Sequence, residues 1–161
     1  MISDIARLVI VFFAAMAGQW WWSSHGAIAG VAPQLLLVLT VAIAARFGAL
    51  RAMFMGFLWG LFLDVMSARL VGANALALTL TAYGTGSMRR QVDLLGVGPL
   101  CLMVFSSTLV YFLTLGLLGL VFLKTFLWVG WASFIVDPFY NCLVALLLIV
   151  FWEPFMGSGK P

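Results

Sequence analysis

The sequence predicts an all-α bundle of about six membrane-spanning helices, and three observations support this prediction. Hydrophobic residues make up 65% of the 161 residues, and the mean hydropathy is +1.20. Charged residues make up only 8%, whereas soluble domains average about 25%. The few charges stand at the ends of apolar runs, which is typical of membrane topology signals. We therefore expect one integral membrane domain over residues 1–161, without a separate soluble domain.

The first two predicted spans cover residues 6–22 and 32–45. The first ends in the tryptophan triplet at 20–22, since tryptophan is enriched at the membrane interface. A cleavable signal peptide is the alternative for this stretch, because a basic residue precedes the apolar run and small residues interrupt it. Pro33 suits the first turn of the second span, where a backbone amide would have no helical partner.

The third and fourth predicted spans, 51–67 and 72–88, contain the most informative stretch. Gly56, Gly60 and Asp64 lie four residues apart, so on an α-helix all three share one face. Two glycines at this spacing form a smooth strip on which another helix can lie closely. The sequence therefore predicts that this face packs against a helix, of this chain or of a partner.

Asp64 is expected to be buried and partnered. A carboxylate at bilayer depth costs roughly 2.5–3.5 kcal/mol, while each Leu, Ile, Phe or Val returns only about 0.3–0.6 kcal/mol. The candidate partners are Arg69 and the amides that open the fourth span near Gly72 and Asn74, because a helix N-terminus favours an anion. The alternative is a helix-end charge that extends to the interface.

The fifth predicted span covers residues 99–123 and ends at Lys124, and the sixth covers 129–152. The stretches before and after Asp137 are each too short to span alone, so one helix with Asp137 in its outer third accounts for both. A five-span version, in which 125–136 is a surface segment, is the alternative, and it would place the C-terminus outside.

Six spans put both termini on one side of the membrane, and the positive-inside rule assigns that side to the cytoplasm. The two sides then carry unequal numbers of basic residues: Arg7, Arg46, Arg51, Arg89, Arg90 and Lys160 inside, against Arg69 and Lys124 outside. The net charge of +3 therefore indicates topology and not nucleic-acid binding. In this topology Asp137 lies in the outer leaflet, as do Lys124 and Arg69. We expect the Asp137 carboxylate to pair with one of these two cations. The equal alternative is that its side chain extends to the membrane interface.

The sequence offers no motif for catalysis, a cofactor or a metal ion. It has no cluster of histidine, cysteine and glutamate at metal-ligand spacing, no phosphate-binding loop and no Ser/His/Asp set. Cys101 and Cys142 both fall inside predicted spans, where they are expected to act as small packing residues. Intramembrane acids also mark ion paths, so an ion-coupled transporter that uses Asp64 and Asp137 is a further alternative. A chain this short would need a second copy or a partner subunit for that function.

The stretch GFLWGLFLD followed by VMSARLVGANALALTLTAYGTG resembles the rod shape-determining protein MreD family. Members of that family carry a Gly-xxx-Gly-xxx-Asp helix, a short turn, and a Leu-Gly-x-x-Ala-Leu-like start to the next span. The matching positions here are Gly56, Gly60, Asp64, Gly72, Asn74, Ala75 and Leu76, with Val71 where leucine is common. The motif Pro33-Gln34-Leu35-Leu36 also looks like the family, whereas the last span matches only in character, so Asp137 is not carried over.

The resemblance implies a non-enzymatic component of the bacterial inner membrane that supports lateral peptidoglycan synthesis and rod shape. It implies binding to the bitopic protein MreC and, through MreC, association with the RodA polymerase, a class B penicillin-binding transpeptidase and the MreB filament. Gly56, Gly60, Gly72 and Asn74 would then be helix-packing or partner-interface residues. The family is also similar in architecture to the membrane substrate-binding subunits of energy-coupling-factor transporters. The alternative function is therefore a small-solute-binding subunit of a vitamin-type transporter.

Overall fold

The described part of the chain folds into six α-helices, which confirms the predicted all-α bundle. The computed structural model describes residues 2–25, 33–67, 70–89, 96–127 and 130–156, and contains no strand in these ranges. The helices are α1 (Ile2–His25), α2 (Leu35–Phe47), α3 (Ala49–Ser67), α4 (Ala73–Met88), α5 (Val97–Leu123) and α6 (Trp131–Met156). Within these residues, Ala49–Ser67, Val97–Leu123 and Trp131–Leu148 are long and apolar enough to cross a membrane.

Helix α2 forms the centre of the bundle and contacts every other helix. Its sequence LLLVLTVAIAARF has no polar face, as expected for a helix that is buried on all sides. Nine of its 13 residues are buried, including Val41 and Ala44 with no exposed surface. Its length is about 20 Å at 1.5 Å per residue, which is shorter than the hydrocarbon core of about 30 Å. Protein therefore surrounds α2 along most of its length.

Helices α3 and α4 form the most extensively packed pair, an antiparallel hairpin. The hairpin is tight at both ends because glycines allow the backbones to approach closely. A Cβ added at Gly60 would lie 2.6 Å from the carbonyl carbon of Asn74, and one at Gly86 would lie 2.6 Å from the amide nitrogen of Ala49. Trp59, which is fully buried, stacks on Phe12 and thereby holds α1 against α3.

Helices α5 and α6 form the second hairpin. Lys124 ends α5 in the left-handed conformation, and the chain then folds back so that Phe126 and Leu127 lie on Gly116 and Gly119 of α5. Helix α6 is continuous through Asp137 and Pro138. The structure therefore places residues 131–136 in the first turns of α6, and not in a separate surface segment.

The antiparallel arrangement sorts the charged residues between the two ends of the bundle. The turn between α2 and α3 lies beside the C-terminus of α4, so that Arg46, Arg51 and Arg89 come to one end, which we call the arginine end. The opposite end, which we call the aspartate end, contains Asp64 near the end of α3, Asp137 near the start of α6, and Lys124. The buried hydrogen bonds described next lie toward the aspartate end.

Candidate functional site

Asp64 is fully buried and accepts four hydrogen bonds from the start of α4. Its Oδ2 accepts from the amide of Gly72 at 2.9 Å and from the amide of Ala75 at 3.2 Å. Its Oδ1 accepts from both the amide and the side-chain Nδ2 of Asn74, each at 2.9 Å. Asp64 therefore caps the N-terminus of α4 from the preceding helix.

This cap explains how a carboxylate is accommodated inside the bundle. The first amides of a helix have no partner within it, and the helix dipole is positive at that end. Gly72, at the N-cap position of α4, has no side chain to bond these amides, and the first turn of α4 contains no acidic residue. All four bonds come from N–H groups, an arrangement that suits an ionised carboxylate, which only accepts.

Of the two partners predicted for Asp64, the structure describes the helix amides. Arg69, the other predicted partner, lies outside the described residues. Gly72 differs from its prediction as a packing residue. A Cβ added at Gly72 would meet nothing within 4 Å. The backbone φ of Gly72, however, is +95°, a conformation that residues with L side chains rarely adopt. Gly72 is thus required for the turn that aims its own amide at Asp64, and not for close helix packing.

The cap extends to a third helix through Asn74. Its side-chain Oδ1 accepts a hydrogen bond from the hydroxyl of Tyr111 on α5, and Tyr111 is 5% exposed. Asn74 therefore bonds Asp64 with its Nδ2 and Tyr111 with its Oδ1. Our sequence reasoning did not identify Tyr111, because its only signal was a polar group within the long apolar run of α5.

The predicted glycine face of α3 lies against other helices of the same chain. A Cβ on Gly56 would lie 3.2 Å from the carbonyl oxygen of Leu78 on α4 and 3.2 Å from the methyl group of Thr40 on α2. Gly60 meets the backbone of α4 at Asn74 and Ala75. The glycines thus bring α4 close enough to α3 for Asp64 to reach the amides. Helix α4 covers this strip, so the strip is not free for a partner protein.

A second buried polar cluster surrounds the N-terminus of α2, and sequence reasoning did not find it. Asn141 on α6, with no exposed surface, accepts a hydrogen bond from the amide of Gln34 at 2.8 Å and donates to the hydroxyl of Thr108 on α5 at 3.1 Å. Gln19 on α1 accepts from the amide of Leu36 at 3.4 Å. The N-terminus of α2 is therefore held by side chains from α1 and α6, while the side-chain Oε1 of Gln34 is buried without a partner.

Asp137 is buried, with 4% of its surface exposed, and its Oδ1 has no hydrogen-bond partner. Among the residues that the structure describes, no ion pair joins Asp137 to Lys124, and Arg69, the other predicted partner, lies outside the described residues. Lys124 is exposed at the end of α5, where its left-handed backbone begins the fold-back between α5 and α6. The side chain of Asp137 instead lies inside the bundle, one helical turn before Asn141.

The described residues contain no group of three or more histidine, cysteine, aspartate or glutamate side chains placed to hold a metal ion. Cys101 and Cys142 are free and half-buried, and the thiol of Cys142 donates to the carbonyl oxygen of Cys101 at 3.2 Å. These thiols join α5 to α6 as small packing groups.

Comparison with known proteins identifies a family that matches almost the whole chain. The family model described as rod shape-determining protein MreD matches residues 3–158 of the 161-residue chain. No curated protein and no solved structure matches the chain. The family match includes all six helices, so it extends well beyond the stretch around Asp64 on which the sequence resemblance rests.

Proposed function

Because the chain belongs to the rod shape-determining protein MreD family, and so has a role in rod shape determination, we propose that it is a non-catalytic component of the cell-wall elongation complex. In this proposal it lies in the bacterial inner membrane and supports lateral peptidoglycan synthesis by assembling other proteins. The single observation that carries the proposal is the family match over residues 3–158.

The hydrogen bonding of Asp64 supports a structural role for this residue. An intramembrane carboxylate is by default a candidate for proton or ion transfer. Both oxygens of Asp64, however, bond the start of α4, and the side chain has no exposed surface. A proton carrier has to exchange its proton with water or substrate, whereas this carboxylate stabilises a helix end. We therefore assign Asp64 to assembly of the fold that its partners recognise.

The proposed partner in direct contact is MreC, through its single transmembrane helix. MreC would in turn connect the chain to the RodA polymerase, to a class B penicillin-binding transpeptidase and, indirectly, to the MreB filament. The glycine strip at Gly56 and Gly60 does not serve this contact, because α4 covers it. The partner helix would therefore bind one of the apolar outer faces of the bundle.

Affinity purification from native membranes in a mild detergent tests this function. The tagged wild-type chain should retain MreC, and a strain depleted of the chain should lose its rod shape. The Asp64→Ala variant should retain less MreC at equal membrane abundance, because the α3–α4 hairpin is no longer held. The Gly84→Ala variant is the control: its Cβ would meet nothing within 4 Å, so retention should be unchanged.

Two results would contradict the proposal. One is retention of a pair of transporter ATPases and no cell-wall elongation protein, which would favour a solute-binding transport subunit. The buried, unpartnered oxygens of Gln34 and Asp137 would then be the first groups to test for solute binding. The other is a normal rod shape after depletion.

A further inference from the structure

A cavity of about 700 Å³ lies at the arginine end of the bundle, away from the hydrogen-bonded groups described above. Its walls are the turn between α2 and α3, residues 47–50, and the last turns of α4, including Tyr83, Ser87 and Arg89. This volume lies within the range of about 300–1,000 Å³ typical of sites for small ligands. The assembly role proposed above does not use this cavity.

One guanidinium group, that of Arg89, lines the cavity, and a second, that of Arg51, lies near the lining residue Phe47. Nη1 of Arg89, on α4, lies 3.4 Å from the position that a Cβ on Gly48 would occupy. The guanidinium carbon of Arg51, on α3, lies 6.0 Å from the centre of the Phe47 ring. Both positive groups therefore lie near the same turn, and Arg89 is the one that lines the cavity.

Negative charge is far from the rim of the cavity among the side chains that the structure describes. The carboxylates whose side chains the structure describes are Asp64 and Asp137, and both lie at the aspartate end. The guanidinium group of Arg89 at the cavity favours an anionic group there. Arginine is also well suited to phosphate, because its planar guanidinium can donate two parallel hydrogen bonds.

The outer wall of the cavity is apolar and faces the perimeter of the bundle. Leu50 is 82% exposed and Tyr83 is 58% exposed. Tyrosine at such a position is typical of the membrane interface, where its ring contacts apolar chains and its hydroxyl faces the polar layer. The cavity thus joins a basic rim to an apolar outer wall, and an amphiphile with an anionic head matches both.

We propose that this cavity binds an anionic phospholipid. The phosphate lies against Arg89, with Arg51 beside it, and the acyl chains run along Leu50 and Tyr83 on the outside of the bundle. Basic pockets between transmembrane helices bind anionic headgroups on this physical basis. The proposal goes beyond the assembly function and requires only that the chain resides in a membrane.

Native mass spectrometry of the delipidated, detergent-purified full chain tests the proposal. The probes are phosphatidylglycerol and phosphatidylcholine with identical acyl chains. The wild-type chain should bind phosphatidylglycerol more tightly. Arg89→Gln should weaken that binding about fivefold, the effect expected for one basic residue near an anionic lipid, and leave phosphatidylcholine binding unchanged.

Arg46→Gln is the matched control, because it removes one positive charge at the same end from a residue outside the cavity lining. It should change phosphatidylglycerol binding less than twofold. Equal weakening by Arg46→Gln and Arg89→Gln would overturn the proposal in favour of diffuse surface attraction. Equal wild-type affinity for the two lipids would also overturn it. A long-chain prenyl phosphate is added as a third probe. If it binds more tightly than phosphatidylglycerol, and Arg89→Gln abolishes that binding, the ligand of the cavity is a lipid-linked precursor and not a phospholipid.

A second measurement does not depend on whether the Arg89→Gln variant folds. In this measurement a photoreactive amino acid replaces Tyr83, and in the control variant it replaces Leu80. Both residues are exposed on α4, but only Tyr83 lines the cavity. In vesicles with equal amounts of the two lipids, the lipid crosslinked at position 83 should be enriched in phosphatidylglycerol. The lipid crosslinked at position 80 should match the bulk composition. The same composition at both positions would contradict a headgroup site at the cavity.

Discussion

Asp64 shows how the amides at the start of a helix can stabilise a buried carboxylate. It accepts from three backbone amides and one side-chain amide, and these donors belong to a helix whose dipole is positive at that end. The donors are rigid parts of α4, so the interaction costs little side-chain entropy compared with a bond to a lysine or arginine. The residue therefore acts as the N-cap of a helix whose own cap position, Gly72, lies eight residues later along the chain.

We expect Asp64→Ala to lower the free energy of unfolding by about 3 kcal/mol or more, because several buried donors at about 1–3 kcal/mol each lose their acceptor. Asp64→Asn should cost less, since its one carbonyl oxygen can still accept from Asn74. Denaturation of the purified protein in mixed micelles measures both.

Asp137→Asn is the control for these variants. It makes the same chemical change at a buried carboxylate whose Oδ1 has no partner. Asp137→Asn should therefore lower the free energy of unfolding by less than Asp64→Asn does. Equal stability of the wild type and Asp64→Ala would show that the cap contributes nothing measurable.

At the scale of elements, the α3–α4 hairpin depends on backbone contact. Gly60 and Gly86 let each helix approach the other so closely that an added Cβ would overlap backbone atoms of Asn74 or Ala49. Close approach increases dispersion contacts, which drive helix association where lipid is as apolar as the helices themselves. The same approach brings the amides of α4 within reach of Asp64. Packing and capping in this hairpin therefore require each other.

The opposite effects of alanine at two glycines of the hairpin test this dependence. Gly60→Ala should lower the free energy of unfolding by about 1–3 kcal/mol, because its Cβ overlaps a backbone that cannot rotate away. Gly84→Ala should raise it by up to about 1 kcal/mol, because alanine favours the helix and its Cβ meets nothing within 4 Å. Thermal unfolding of the two variants in one detergent measures the difference. The same change in both would contradict the packing of α3 on α4.

At the scale of the whole molecule, the fold separates charge between two ends. Arg46, Arg51 and Arg89 gather at the arginine end although they belong to three helices, and Lys124 lies at the aspartate end. The positive-inside rule would place the arginine end in the cytoplasm. The buried cap at Asp64 and the cluster at Asn141 would then lie in the outer half of the membrane.

Reporter fusions test this orientation. A reporter joined after Gln91 or after Trp152 should be cytoplasmic, and one joined after Lys124 should be external. Selective labelling of single cysteines, introduced at the same positions in the full chain, provides the control for truncation. An external reporter after Trp152 would contradict six spans with both ends inside.

The sequence by itself was sufficient to predict the features that depend on helix periodicity and on the positions of charged residues. The four-residue spacing of Gly56, Gly60 and Asp64 places them on one helix face, and the short turn after Asp64 keeps the amides of Gly72 and Asn74 within reach. These relations span few residues, so helix geometry alone constrains them.

Only the tertiary structure decided the contacts between residues far apart in the chain. Tyr111 meets Asn74 across 37 positions, and Asn141 meets Gln34 across 107, and neither pair has a spacing that any local period can reveal. The tertiary structure also places the side chain of Asp137 inside the bundle, whereas Lys124 is exposed at the end of α5. Two residues at the same membrane depth share only a plane. A hydrogen bond between them also requires that their two helices face each other with the sides that carry these residues. In this protein the packing of α5 and α6 around α2 determines those faces.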